Sequence, residues 1–135
     1  MDTSKYNPGA IRKAFQFLVD EYGYTIRRDE ELFHNEQPYA FVIEFVGNGR
    51  RVSLSHDYRD NFFDFNIIKG LDTQHPNDED NENISPFIKV FMAFERSLNP
   101  QDFQPYNKTC AEAASINAYF LKKYASKILF GEDWV

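Results

Sequence analysis

Residues 40–56 read AFVIEFVGNGRRVSLSH, two alternating runs that meet at Asn48-Gly49. Asparagine followed by glycine suits the two positive-φ positions of a type I′ turn, so the pair specifies a two-residue β-hairpin. Such a loop leaves one register: Gly47 opposite Arg50, Phe45 opposite Val52, Ile43 opposite Leu54 and Phe41 opposite His56. A slip by one residue would send every apolar side chain to the other face, so the pattern and the turn enforce each other. If Tyr58–Asn61 forms the next turn, a third strand returns with His56 beside Phe63, Leu54 beside Phe65 and Val52 beside Ile67. One face is then apolar across three strands. The other gathers Glu44, Ser53 and Asn66 in one row and Val42, Ser55 and Asp64 in the next. An antiparallel sheet of that kind is covered on one side only.

The cover is helical. Asn7-Pro8 supplies an N-cap and an N1 proline, Ile11, Ala14, Phe15, Leu18 and Tyr22 follow at helical spacing, and Gly23 can close the helix in the left-handed conformation. A short strand is expected over Tyr24–Arg28, followed by a loop, DEELFHNEQP. Ser85-Pro86 offers a second cap and N1 proline ahead of a stripe of Phe87, Val90 or Phe91, Phe94 and Leu98, ended by Asn99-Pro100. Beyond a linker, QDFQPYN, Thr109 and Glu112 form a capping box for a last helix with Ala113, Ile116, Phe120, Tyr124 and Ile128 on one face. Gly131 stops that helix, and Trp134 tucks back from the tail. The expected fold is α+β: an antiparallel meander of three to four strands with an N-terminal helix and two C-terminal helices on one face, in a single domain over residues 1–135.

At 135 residues the chain buries roughly two-thirds of its unfolded surface, enough for one core without a disulfide or metal. The 14 Phe and 8 Tyr make that core ring-rich. A single cysteine, no apolar signal-like N-terminus and no membrane-length apolar run point to a cytoplasmic location. The net charge of −6 is concentrated in DTQHPNDEDNE, residues 72–82, where Asp72, Asp78, Glu79, Asp80 and Glu82 stand without a lysine or arginine. The rest holds 16 acids against 15 bases, so no basic stripe invites nucleic acid, and a basic protein is the partner that charge favours.

Most chemical motifs fail on spacing. An EF-hand begun at Asp78 would place Asn83 sixth and Lys89 twelfth, where glycine and glutamate are needed; the segment of about 71–83 reads as a solvated, mobile loop. His34, His56 and His75 lie too far apart, with one Cys, for a zinc motif, and no cofactor-binding fingerprint occurs. His56 and Asp57 are strand neighbours and point to opposite faces, so they form no acid–base dyad; His56 packs among the rings of Phe41 and Phe63. Asp57, Arg59 and Asp60 belong to a solvated turn. Cys110, at N1 of the last helix, is the one candidate reactive thiol, because a helix N-terminus favours thiolate; a small, partly buried cysteine is the plainer reading. Glu44 and Asp64 are the carboxylates on the open face. Val42, Val46, Phe62 and Ile68 fall on that face too, an apolar strip that points to a homodimer.

Three stretches, FQFLVDEYGY, VSLSHDYRDNFFDFNII and AYFLKKYASKILFGEDW, together resemble a group of small bacterial α+β proteins similar to the immunity proteins that accompany polymorphic toxins. The acidic segment departs from that group's pattern. The resemblance implies a cytoplasmic, non-enzymatic binder that blocks a partner's active site. On this reading the contact residues are Glu44, Asp57, Arg59, Asp60, Asp64, Asp78, Glu79, Asp80 and Glu82. The alternative is a ligand-binding or enzymatic domain with a pocket between sheet and helices.

Overall fold

The structure is a computed structural model and describes residues 6–70 and 82–134. Its centre is an antiparallel sheet of five strands in sequence order, β1 (Thr25–His34), β2 (Gln37–Gly47), β3 (Arg50–Asp57), β4 (Phe62–Lys69) and β5 (Ile84–Pro86). Asn48 and Gly49 turn at φ 54° and 73°, and β2, β3 and β4 pair in the register read from the sequence, from Gly47↔Arg50 through His56↔Phe63.

The sheet is larger than the meander expected, and both additions escaped sequence patterning. DEELFHNEQP is not a loop: β1 runs on to His34, and Asn35 and Glu36 turn at φ 49° and 67° into β2. It is an edge strand, exposed along nearly all its length, so it needs no apolar alternation. A bulge between Ile26 and Arg28 sets Arg28 opposite Glu44 and Asp29 opposite Ile43. Asp29 thus reaches the helical side, where the Arg12 guanidinium donates to both its oxygens at 2.8–3.0 Å, and Glu31 accepts from the Tyr58 hydroxyl at 2.8 Å. Charges turned inward on an edge strand protect it against pairing with another chain. The second addition is β5, where Ser85-Pro86 pairs with β4 instead of opening a helix inside its first turn; Pro86 is the N-cap.

The helices are α1 (Pro8–Ala14), α2 (Phe17–Asp20), α3 (Phe87–Phe94), α4 (Cys110–Tyr124) and α5 (Ser126–Leu129), with a 3-10 turn over Pro100–Phe103. Asn7 caps α1 through its side chain at 3.0 Å, and the Thr109–Glu112 capping box is formed. Two breaks depart from the sequence reading. The first helix interrupts at Phe15–Gln16, which lets Phe15, Phe17 and Leu18 all face inward; on an unbroken helix Phe15 and Phe17 would point about 200° apart. The last breaks at Ala125. The stripe ahead of Leu98 is also shorter than expected, because α3 stops at Phe94.

The innermost face of α4 is Cys110, Ala113, Ala114, Asn117, Ala118 and Leu121, not the larger residues that the sequence suggested. Its alanines let α4 approach closely where it packs beside α1 and α3. Ile116, Phe120 and Tyr124 flank that contact, with Phe120 against Phe91 and Tyr124 stacked on Phe94. Between helices and sheet lies one aromatic core, in which Phe65 meets Phe15, Phe63 and Phe87 at ring distances of 4.5–5.6 Å. Trp134 folds back as expected: its indole donates to the Glu82 carbonyl at 2.9 Å, and Arg50 lies over the ring at 5.1 Å.

Candidate functional site

The uncovered sheet face carries the carboxylates singled out in the sequence. Glu44 and Asp64, with Arg28, Val42, Ser53 and Ser55, line an open concavity of about 460 Å³. Its charge is mixed. Glu44 is ion-paired with Arg27, Asp64 accepts from the Asn66 amide at 2.9 Å, and Arg28 is paired with Glu30. Ile68 is sealed at 0% exposure, so the apolar strip reduces to Val42, Val46 and Phe62.

At the end of this face, the β3–β4 turn is built by Asp57, whose Oδ1 accepts the backbone N–H groups of Arg59 and Asp60 at 2.9 and 3.2 Å. Asp57, Arg59 and Asp60 are exposed. Arg59 lines a hollow with Phe33, His34, Asn35, Gln37 and Tyr39, where Phe33 is 59% and Tyr39 44% exposed. That β1–β2 tip is not readable as a site from the sequence, because an exposed edge strand carries no apolar alternation. Glu82 is exposed, whereas Asp78, Glu79 and Asp80 lie outside the described residues. Asp57, Arg59 and Asp60 are therefore one group and Glu44 with Asp64 another.

Cys110 stands at N1 of α4 as expected, and the tertiary structure supplies it with a neighbour that sequence spacing did not. Its Sγ is 3.9 Å from His56 Nδ1, and the other ring nitrogen, Nε2, is 2.8 Å from Asn61 Oδ1. Asn61 in turn donates to the Pro105 carbonyl at 2.6 Å. If Nε2 carries the proton, Nδ1 is left as an acceptor toward the thiol, the order of groups that activates a nucleophile. Two facts oppose that role. Cys110 and His56 are 1% and 0% exposed. Burial also pushes the Cys110 thiol up and, outweighing Asn61 and Asp57, the His56 imidazole down, so the pair rests as neutral thiol and neutral ring. Tyr58 and Phe63 close on the imidazole edge-on at 5.2 and 4.9 Å.

Among the described residues no three His, Cys, Asp or Glu side chains converge as a metal site, and no helix is long and apolar enough to cross a membrane. No family model, no curated protein and no solved structure matches the chain. Its class rests on the fold: α+β, with a five-stranded antiparallel sheet among the described residues and helices on one face.

Proposed function

We propose that the chain is a non-enzymatic protein-binding module, similar in role to an immunity protein, that holds a basic partner against its uncovered sheet face and acidic segments. The observation that carries this reading is the hollow at the end of that face, where exposed Phe33 and Tyr39 stand beside Arg59. Aromatic rings and arginine anchor protein interfaces, because they bury large areas with few rotamers to freeze. Asp57 and Asp60 beside the hollow, with Asp64 along the sheet, give it an acidic margin that would speed association with a basic protein, while Glu44 is offset by Arg27. The buried, neutral Cys110–His56 pair offers no nucleophile to a substrate.

The immobilised chain is expected to retain a protein from lysate of its source cells and release it at moderate salt. Phe33→Ala with Tyr39→Ala should weaken retention at least about tenfold, as loss of two anchors does. Arg96→Glu, on the exposed helical side, should leave it unchanged. Equal retention by both variants would sink the assignment of this face, and a gene neighbourhood without a toxin-like sequence would sink the immunity role.

A further inference from the structure

A third cavity, of about 350 Å³, opens at the edge of β4. Its origin is topological. β5 pairs with β4 only over Asn66–Ile68, because Pro86 ends the strand and Phe87 begins α3. The first half of β4, paired with β3 on one side, thus has no strand among the described residues along its outer edge. There the Gln104 side chain stands in for one residue of a strand: its Oε1 accepts the Phe63 N–H at 2.7 Å and its Nε2 donates to the Phe63 carbonyl at 3.0 Å. The gap left between Gln104 and Pro86 is walled by Phe63, Phe65, Phe87 and Phe103.

Asn117, on the inner face of α4, also lines this cavity and is 3% exposed. Its Nδ2 donates to the Phe103 carbonyl at 2.8 Å and to the Ala113 carbonyl at 2.9 Å. Both N–H groups are thereby used, and the amide cannot be flipped without setting its oxygen against two carbonyls. Oδ1 is left with no donor among the described residues. That oxygen is not sealed in the core but opens to the ring-lined cavity, where it can accept from a bound molecule.

We propose that this cleft is a binding site for a small planar aromatic molecule carrying one N–H or O–H donor, with the largely buried rings of Phe63, Phe65, Phe87 and Phe103 beneath it, the exposed rings of Phe62 and Tyr106 beside it and its donor on Asn117 Oδ1. The volume lies at the lower end of ligand pockets, which suits one or two fused rings. Asp64 at the rim disfavours an anion, so the ligand is neutral or cationic. This site shares Asp64 at its rim with the face proposed above, but Asn117 and the ring-lined wall lie outside that interface, so either can fail alone.

Titration of the ¹⁵N-labelled full chain with indole, toluene and benzoate tests it. Indole should shift the Asn117 side-chain amide together with the Phe63 and Gln104 signals, saturably. Toluene, which has the ring but no donor, should bind about tenfold more weakly, the weight of one hydrogen bond. Benzoate should be weaker still. Asn117→Leu should bring indole down to the level of toluene, and the wild-type comparison stands even if that variant does not fold. Equal affinity for indole and toluene, saturable shifts confined to other surfaces, or no saturable shift would each overturn the proposal.

Discussion

Two asparagines, Asn61 half-buried and Asn117 buried, divide this molecule into a closed half and an open one. Asn61 uses its oxygen on His56 and its amide nitrogen on Pro105, and its neighbours His56 and Cys110 are sealed. Asn117 uses its nitrogen twice and its oxygen not at all, beside a cavity. The residue types are the same, and what separates them is the use made of the amide oxygen. The first cluster resembles catalytic chemistry in its composition, yet every polar group has a partner inside the protein, so it serves the fold. The second carries no reactive group, yet it has a hydrogen bond still to make. A network whose groups are all partnered inside holds structure together, whereas an acceptor that opens to a cleft is free to meet a ligand.

The comparison can be broken most directly at Asn61. Asn61→Ala leaves His56 Nε2 and the Pro105 carbonyl unpaired and puts alanine at φ 48°, where asparagine is better tolerated. A loss of about 2–4 kcal/mol is expected in urea unfolding. Iodoacetamide should also reach Cys110 in this variant far sooner than in the wild type, whose buried thiol reacts only when the structure opens. Rapid labelling of the wild type at neutral pH would instead make the cluster a working site.

Asn117→Ala should cost less, about 1–2 kcal/mol by the same measurement, because water in the open cleft can take over the freed Phe103 carbonyl. If the two alanine variants were equally destabilised, the contrast between closed and open halves would fall.

The smallest effect is expected with pH. The folded His56 binds its proton below the ordinary value near 6.5, so as pH falls through that value the unfolded chain takes up a proton first and stability declines. The loss levels off once pH is below the folded value. Cys110 acts at the other end: its raised folded value means that the unfolded thiol ionises first, and stability declines as pH rises past about 9. Melting temperatures across this range should give a dome whose acid limb flattens in His56→Gln. An unchanged acid limb would show that His56 does not carry it.

The central strands were legible because Asn48-Gly49 and period-2 alternation act locally, and each fixes the same register. Helix starts at Asn7 and Thr109 were legible for the same reason. β1 beyond Arg28 and the whole of β5 were not, since an exposed edge strand keeps no apolar face and a three-residue strand holds no period. Of the site, the sequence placed Asp57, Arg59 and Asp60 in one exposed turn and Glu44 with Asp64 on the open face. It gave no sign that Phe33 and Tyr39 would stand beside Arg59. Asn117 did leave a trace: a polar residue among Ala113, Ala114, Ala118 and Leu121 is out of keeping with a core face.

What the sequence determined alone is therefore the hairpin register, the helix caps and the separation of His56 from Asp57, all set by neighbours a few residues apart. Only the tertiary structure decided that Cys110, 54 positions from His56, would lie against it, and that burial would hold both neutral. The cleft at β4 is likewise a product of long-range packing. It exists because Pro86 leaves the sheet, while Gln104, 41 positions from Phe63, satisfies that residue's backbone alone. Turn chemistry and strand alternation are local and can be read along the chain, whereas desolvation and an unfilled acceptor depend on what the rest of the chain brings near.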